Sequence, residues 1–491
     1  MQITLNRNSP QPLYTQLAQD IQRRIRSGAL PPGARLPTVR ELAVQLGVTR
    51  LTIHTAYSEL QAGGWVEATV GRGTFVAAPT EPATVQTDYG HDRSPPSILN
   101  DMVRLARLPG MRSLAMADAA PDLYPTRDFA RALDEALTSG GAAVLSYTAS
   151  QGDPLLRTSV AELVRERGIN AAPDEIVITS GTTQGMALIA RTLARPGDTV
   201  IVEQPTYLGL LNVLNNQGIR PIGVPVDADG MVVEALEPLL QEYQPRFIYT
   251  IPVFQNPSGV CLSAARRNQL LALSERYRVP IIEDDIYSAL VYEGTIPPAI
   301  KGSDHNSLVL HVSSFSKSLL PGARIGYIIA APQFIARLVA AKQADDLCSP
   351  PLMQRALALF IQHGWLASHV RRTLPIYRAR RDALMTALAR SFPSGVQWTT
   401  PRGGLCSWVT LPRGTSVTDL YLAAVERGVG FAPGDVFFIE PPAQPFLRLS
   451  FSSLTPELMA EAVQIFGQLI SAQNNRRTFT VPPLAECLPL V

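Results

Sequence analysis

The sequence predicts a multidomain chain: an N-terminal winged helix-turn-helix, then a longer α/β region that ends in a smaller α+β subdomain. Three observations predict this arrangement. The first 78 residues are basic and pass from helix-period hydrophobic spacing into two short strand patterns. A stretch rich in Pro, Thr and Ala follows, with no periodicity of its own. Beyond it, strand-like apolar runs alternate with amphipathic helices, which is typical of a mostly parallel sheet.

Length and composition limit the classes of protein to consider. The 491 residues are enough for roughly two to four domains, and a hydrophobic content of 46% provides ample core. The net charge of +2 is small, so any nucleic-acid site must be local. The four cysteines are scattered without a C-x-x-C pair, and there is no apolar leader and no apolar run of about 18 residues. We therefore expect a cytoplasmic protein.

Residues 1–78 hold most of the basic charge and show a readable pattern of elements. They contain eight arginines and four acidic residues, a larger positive surplus than that of the entire chain. Apolar residues at every fourth position from Leu13 to Ile25 predict a helix. Thr38 and Glu41 form a capping-box pattern for a second helix, and Thr49 is placed to cap a third. Two strand patterns, 65–68 and 74–76, then flank the hairpin tip 70–73.

The third helix is the one that a winged helix-turn-helix inserts into the major groove of DNA. We expect base contacts from its first turns and phosphate contacts from arginines around it. The alternative is a small helical interaction domain whose arginines are only solvated. The candidate DNA-binding residues are Arg35, Thr38, Arg40, Thr49, Arg50, Thr52, His54 and Arg72.

The domain boundaries follow from the change in pattern. We assign residues 1–78 to the DNA-binding module, 79–97 to a linker, 98–475 to the α/β region and 476–491 to a C-terminal tail. Six strands are predicted in the α/β region: 175–179, 199–203, 247–251, 280–283, 307–312 and 324–329.

Lys317 is the residue with the clearest chemical indication. The chain has only three lysines among its 43 basic residues, and arginine serves nearly everywhere else. A guanidinium stays protonated, whereas a desolvated lysine amine can lose its proton and attack an aldehyde. Hydroxyls at Ser314 and Ser316 and a guanidinium at Arg324 surround it in sequence, which suits an aldehyde cofactor that also carries a phosphate.

Other groups that pyridoxal phosphate requires occur at strand ends. Residues 180–185 offer a small-residue cradle for a phosphate between a strand and a helix. Tyr207 offers a ring to stack on, Asn256 a donor for a phenolic oxygen, and Asp284 a carboxylate for a pyridine nitrogen. Taken singly, these are also the patterns of a tight turn, a surface tyrosine and acids solvated at a strand end. Together they favour a cofactor site.

Two family resemblances strengthen both interpretations. The run GARLPTVRELA at 33–43, with GVTR at 47–50 and GRGTFV at 71–76, resembles the signature of GntR-type regulators. The order and spacing of the strand-end groups from about 110 to 470 resemble fold-type I aminotransferases, the α/β fold of pyridoxal-phosphate-dependent transferases. A winged helix fused to such a domain is similar to the MocR/GabR regulators.

The aminotransferase resemblance implies roles for individual residues. Lys317 would form an aldimine with pyridoxal 5'-phosphate, with Asp284 on the pyridine nitrogen and Tyr207 on the ring. Asn256 and Tyr287 would contact the phenolic oxygen, and Lys317, Asp284 and Tyr287 would make up the catalytic set. Arg448 matches the arginine that holds a substrate carboxylate. The phosphate group would be surrounded by Gly181, Thr182, Ser314, Ser316, Arg324 and Tyr147, the last reaching across a dimer interface.

The MocR/GabR resemblance implies a function. The chain would be a homodimeric, pyridoxal-phosphate-dependent transcriptional regulator that binds double-stranded promoter or operator DNA and senses pyridoxal phosphate or an amino-compound at Lys317. The alternative is an active aminotransferase that carries a DNA-binding module. Members that respond to γ-aminobutyrate have an arginine where this chain has Gly209, which argues against that effector. We expect no metal site, because the six histidines show no metal-ligand spacing.

Overall fold

A computed structural model gives the structure of the chain. It describes residues 12–26, 29–31, 33–62, 65–69, 73–76, 102, 104, 106, 108 and 110–478. The chain divides into two compact units, 1–93 and 94–491. The linker predicted at 79–97 lies outside the described residues, so its boundaries stay a prediction.

Three helices and a hairpin build the N-terminal unit, as the sequence predicted. The helices are α1 (Leu13–Arg26), α2 (Val39–Leu46) and α3 (Arg50–Ala62), and the antiparallel hairpin is β1 (Val66–Thr69) with β2 (Gly73–Val76). Their apolar faces meet in one core, in which Leu17, Ile21, Leu42, Ile53 and Leu60 are fully buried.

The predicted helix caps are confirmed in atomic detail. Thr38 Oγ1 accepts a hydrogen bond from the Glu41 backbone N–H at 3.3 Å, and the Glu41 carboxylate accepts one from the Thr38 N–H at 2.9 Å. Helix α2 ends at Gly47, whose φ of 62° is the left-handed conformation that glycine adopts readily. Thr49 Oγ1 accepts from the Thr52 N–H at 3.2 Å and so begins α3.

The larger unit is built on an eight-stranded sheet in the order β4-β11-β10-β9-β8-β5-β6-β7. Strand β11 is antiparallel to both neighbours and β7 is antiparallel to β6, while the strands from β10 to β6 run parallel. The mostly parallel sheet is therefore confirmed. Its strands are β4 (Ile176–Thr179), β5 (Thr199–Gln204), β6 (Arg220–Asp227), β7 (Gly230–Met231), β8 (Ile248–Thr250), β9 (Ile281–Asp284), β10 (Val309–Ser314) and β11 (Gly326–Ile329).

The predicted strand positions differ from the observed ones by up to two residues at either end. The largest shifts are at the last two strands. Strand β10 begins at Val309 because Ser307 has a φ of 59°, which is incompatible with extended backbone. Strand β11 begins at Gly326 because residues Pro321–Ala323 form a 3-10 turn and Arg324 has a φ of 51°.

Helices pack on this sheet, and the chain then forms the second subdomain. Short strands β3 (Arg112–Ser113) and β14 (Val429–Gly430) pair with each other in parallel. A four-stranded antiparallel sheet, in the order β12-β13-β16-β15, consists of Gln397–Trp398, Cys406–Thr410, Phe446–Ser450 and Ala432–Pro433. The α-helices of the larger unit are α4 (Thr126–Gly140), α5 (Pro154–Leu163), α6 (Thr182–Leu193), α7 (Leu208–Asn216), α8 (Leu236–Tyr243), α9 (Ala264–Tyr277), α10 (Pro332–Asp346), α11 (Pro351–Gln362), α12 (Trp365–Ser391), α13 (Val417–Glu426) and α14 (Pro456–Thr478).

The end of the chain differs from the prediction. The tail was predicted to begin at residue 476, but α14 continues to Thr478. Its buried residues, among them Met459, Val463 and Phe466, give it an apolar face that packs on α12. No helix among the described residues is long and apolar enough to cross a membrane.

Candidate functional site

The strand ends of the main sheet surround a cavity of about 170 Å³. Asp284 lies at the end of β9, Lys317 three residues beyond β10, and Thr182 follows β4 at the start of α6. In open α/β sheets, ligands bind in the crevice outside the carboxyl ends of the strands. Of the predicted site residues, the structure brings to this cavity Thr182, Tyr207, Asn256, Asp284, Tyr287, Ser316, Lys317 and Arg324.

Lys317 forms an ion pair that the sequence did not predict. Its Nζ lies 2.7 Å from Asp118 Oδ1, and the side chains are 18% and 43% exposed, respectively. Burial alone would raise the pKa of Asp118, but the charge of Lys317 and its hydrogen bond outweigh burial and lower that pKa. The amine is therefore held at the cavity by a carboxylate that it must leave in order to react.

Asp284 is a buried acid with one oxygen unused. Tyr249 Oη donates a hydrogen bond to Asp284 Oδ2 at 2.7 Å, and Oδ1 has no partner although it is buried. Burial, with the neighbouring charge of Asp285, raises the pKa of Asp284 to about 6. A cationic N–H placed at Oδ1 would satisfy the orphaned atom and stabilise the carboxylate form.

Asn256, Tyr287 and Arg448 form one buried group, of which Asn256 and Tyr287 line the cavity. Arg448 Nη1 donates to Asn256 Oδ1 at 2.8 Å, and Asn256 Nδ2 lies 3.5 Å from Tyr287 Oη. Arg448 also donates to the Ala115 carbonyl, and its guanidinium carbon lies 4.9 Å from the centre of the Phe437 ring. Its Nε is buried without a hydrogen-bond partner.

The small-residue turn after β4 is closed on one side by Arg324. Arg324 Nη2 donates to the Ser180 carbonyl at 2.8 Å. Gly181 has a φ of 94°, and a Cβ added there would come within 2.9 Å of Arg324 Nη2. The backbone N–H groups that begin α6 and the guanidinium thus stand beside each other, the combination that binds a phosphate. Ser314 and Ser316 are also buried, and the Ser316 N–H donates a 3.3 Å hydrogen bond to Ser314 Oγ.

A network of polar groups, of which only Lys342 is fully buried, supports this turn. Lys342 Nζ lies 2.6 Å from Asp346 Oδ1, and the lysine side chain is fully buried. Asp346 Oδ2 accepts from Gln184 Nε2 at 2.9 Å, and Gln184 Oε1 accepts from the Ser180 N–H at 2.7 Å. Lys342 therefore has a positioning role that the sequence did not indicate.

The space around Tyr207 explains the glycine two residues later. A Cβ added at Gly209 would come within 2.4 Å of the Tyr207 ring. The aromatic ring therefore occupies the volume that a side chain at 209 would need. A side chain at position 209 would therefore require the Tyr207 ring to move.

Tyr147 lies apart from the other candidate residues. It is 85% exposed and does not line the cavity. A single copy of the chain does not bring it to the site.

Of the candidate DNA-binding residues, the structure describes seven. Arg35, Thr38, Arg40, Thr49, Arg50 and His54 are exposed, and Thr52 is half-buried on the first turn of α3. Arg35 and Thr38 come from the segment before α2, Arg40 from α2, and the remaining four from the start of α3. Arg72 lies outside the described residues, so its role stays a prediction.

The cavity fits pyridoxal phosphate on observations of this structure. Asp284 Oδ1 lacks the donor that a pyridinium nitrogen would supply, and Gly181 with Arg324 forms a cradle that a Cβ would fill. Lys317 presents an amine, and Asn256 and Tyr287 present polar groups. Asp118, Tyr249 and Lys342 were missed from the sequence because no local motif marks them. Asp118 and Tyr249 contact residues 199 and 35 positions away, and Lys342 reaches the turn only through Asp346.

Two family models match the chain. The model for aminotransferase class I and II covers residues 117–466, and the model for bacterial regulatory proteins of the gntR family covers residues 13–76. Together they include almost all of the described residues.

Similar proteins come from both classes. The probable rhizopine catabolism regulatory protein MocR of Rhizobium meliloti is 30% identical over 94% of this chain and 94% of its own length. Aromatic-amino-acid aminotransferase 1 of Thermococcus litoralis is 36% identical over 77% of this chain and 93% of its own. The structure of an alpha-aminoadipate aminotransferase from Thermus thermophilus, complexed with N-(5'-phosphopyridoxyl)-L-leucine, superposes with a TM-score of 0.72 at 32% identity, covering 77% of this chain and 95% of that one.

Proposed function

This chain belongs to the MocR-type regulators, in which a GntR-family DNA-binding module precedes an aminotransferase class I and II domain, and from that premise we propose that it controls transcription in response to an amino-compound or pyridoxal phosphate sensed at Lys317. The observation that carries the proposal is the Lys317–Asp118 pair, which holds the Lys317 amine at the cavity. The same chain presents an exposed helix α3 for DNA.

Different residues around the cavity would bind different parts of the cofactor. Pyridoxal phosphate, when bound, supplies an aldehyde that a primary amine can attack and a ring that withdraws electrons. Asp284 would hold the ring nitrogen, Arg324 and the start of α6 the phosphate, and Asn256 with Tyr287 the phenolic oxygen. Tyr207 would cover the ring face. Burial of Asp284, Asn256 and Tyr287 keeps water from competing for these contacts.

The effector would be recognised by two groups outside the cofactor contacts. Arg448 has one unpartnered donor, so an acid group of the effector can be held there after the guanidinium adjusts. Asp118 loses its cation when Lys317 reacts, and an ammonium group near it would restore the pairing. Because a ligand shifts a conformational equilibrium only by its difference in affinity for the two states, these contacts must differ between the states.

We also propose a cytoplasmic homodimer. Tyr147 and Leu145 are 85% and 69% exposed on one copy, which supports their burial against a second copy. In such a dimer Tyr147 would complete the phosphate site of the other subunit. A pair of DNA-binding modules would then read two half-sites of an operator.

A gel-shift experiment with matched lysine variants tests the sensing role. Lys317→Arg keeps a cation for Asp118 but cannot condense with an aldehyde, and Lys301→Arg makes the same change at the Lys301–Asp304 ion pair. We expect Lys317→Arg to bind the intergenic DNA next to its own gene, yet to lose any response to pyridoxal phosphate with or without amines. Lys301→Arg should respond as the natural chain does.

Two results would contradict the proposal. One is an unchanged response in Lys317→Arg. The other is rapid conversion of 2-oxoglutarate and amino donors over many cycles by the purified protein without a DNA response, which would establish an aminotransferase.

A subunit-mixing experiment tests the shared site. Lys317→Arg and Tyr147→Phe damage different parts of the same composite site. Mixed dimers of the two variants would contain one intact site and regain about half of the cofactor absorbance relative to the natural dimer, whereas Tyr147 acting within its own subunit would give no such recovery.

A further inference from the structure

A second, larger cavity of about 640 Å³ lies against the same strand ends as the cofactor cavity. The two share a wall. Asp284 and Tyr287 line the cofactor cavity, whereas Asp285 and Ser288 line the second one. In the same way, Ser316 and Lys317 face the cofactor side, and Phe315 and Ser318 line the second cavity.

One side of this cavity is lined by Arg167 and Asp285, which carry one unpaired donor and one unpaired acceptor. Arg167 Nε lies 3.0 Å from Asp285 Oδ2, and Arg167 Nη1 donates to the Pro297 carbonyl at 2.9 Å. Arg167 Nη2 and Asp285 Oδ1 are both buried without a partner, and Asp285 is only 2% exposed. Leaving such groups unpaired costs free energy, so a ligand that pairs with both is favoured.

The charges in the pair decide what that ligand is. A carboxylate would suit the guanidinium but would be repelled by Asp285, and an ammonium would suit Asp285 but would be repelled by Arg167. A neutral amide edge, with N–H and C=O on the same side, donates to Oδ1 and accepts from Nη2. The ion pair is itself neutral overall and needs no counter-charge.

Part of the remaining wall is aromatic and suits a flat ring, while Glu162, Glu166 and Arg371 line the exposed side of the cavity. Tyr327 lies between two other rings, with its centre 6.2 Å from that of His311 in a stacked arrangement and 5.8 Å from that of Phe315. Leu366 and Val370 of α12 add aliphatic surface. Flat ligands gain from such surfaces through apolar burial and ring stacking.

We propose that this cavity is a second ligand site, distinct from the cofactor site, for an uncharged aromatic molecule that bears a carboxamide or ring-lactam edge. Arg167 and Asp285 bind the edge, and the aromatic wall binds the ring. The site does not depend on the proposed regulatory function, because its argument uses none of the cofactor contacts.

Binding of small probes to the full-length protein, saturated with pyridoxal phosphate to fill the first cavity, tests the proposal. The probes are nicotinamide and 2-pyridone, with nicotinate and 3-acetylpyridine as near-identical molecules that lack the N–H donor. Ligand-observed NMR should show saturable binding of the first two, and binding of the other two weaker by about tenfold or more.

Matched variants on one helix locate the site. Ala367 of α12 lines the cavity and Ala379 of the same helix does not, and both are exposed. Ala367→Trp should abolish nicotinamide binding, whereas Ala379→Trp should leave it unchanged. Absence of saturable binding by both amide probes, equal binding of nicotinate, unaffected binding in Ala367→Trp, or displacement by added pyridoxal phosphate would each overturn the proposal.

Discussion

Glu203 gives the clearest test of the electrostatics below the cofactor cavity. It is 1% exposed, its Oε1 accepts from Thr250 Oγ1 at 2.5 Å, and its Oε2 accepts from the Ile251 N–H and from Gln255 Nε2. Burial, with a contribution from the Asp284 charge, raises the pKa of Glu203 from 4.5 to about 7 against the effect of these hydrogen bonds. Glu203→Gln keeps the shape and cannot ionise; like the protonated acid, it offers one oxygen to accept from the Ile251 N–H and Gln255 Nε2 and one donor toward Thr250 Oγ1.

The sign of the effect follows from proton binding. In the unfolded chain Glu203 ionises near pH 4.5, while in the folded protein it stays protonated until about pH 7. Between these values the folded state binds more protons, so the free energy of unfolding falls as pH rises and levels off above pH 7. A shift of this size is worth about 3 kcal/mol in total, and about 2 to 3 kcal/mol of it falls between about pH 5 and 8.

Urea denaturation of the cofactor-free protein, followed by tryptophan fluorescence from about pH 5 to 8, measures the difference. The natural chain should lose about 2 to 3 kcal/mol more stability over this range than Glu203→Gln. Glu426→Gln, the same change at an exposed helix end, should follow the natural chain. Parallel pH profiles for the natural chain and Glu203→Gln would refute the reasoning, because they would mean that Glu203 is ionised throughout.

Three further changes test other parts of the structure. Gly181→Ala places a Cβ 2.9 Å from Arg324 Nη2 at a φ of 94°. The affinity for pyridoxal phosphate, measured by absorbance titration, should therefore fall by about tenfold or more. Unchanged affinity would show that the turn does not hold the phosphate. Asp118→Asn removes the charge that holds Lys317. The rate at which the protein binds the cofactor, measured by stopped-flow absorbance, should therefore rise by up to about fivefold. An unchanged or slower rate would contradict a restraining role for the ion pair. Thr38→Ala removes the capping box of α2 at a cost of about 1 kcal/mol. Hydrogen exchange of the 39–46 amides should therefore quicken about fivefold, while exchange in Thr38→Ser stays close to that of the natural chain. Equal exchange in Thr38→Ala and the natural chain would exclude the cap as a source of stability.

Much of the fold could be predicted because its signals are local. The capping box of Thr38 and Glu41, the end of α2 at Gly47 and the apolar stripe of α1 each depend on residues within one or two helical turns. The strands of the main sheet could be located because buried parallel strands are nearly continuous apolar runs. The starts of β10 and β11 could not, because the left-handed backbone conformation at Ser307 and Arg324 sets them.

The candidate site was predictable to the extent that its residues stand at strand ends. Parallel strands bring their carboxyl ends to one edge, so Asp284, Lys317 and Thr182 were expected to meet, and the structure places them around one cavity. Tyr147 was assigned only through the family resemblance, and one copy of the chain leaves it exposed.

The sequence by itself determined the two-part architecture, the order of the elements and the lysine around which the site is built, because these depend on periodicity, capping and residue chemistry. Only the tertiary structure decided that Asp118, 199 residues away, holds that lysine, that Asp284 and Arg448 each keep one unpaired atom, and that a second cavity lies behind the same wall. Contacts between distant segments are set by how helices and strands pack. No local pattern of residues encodes them.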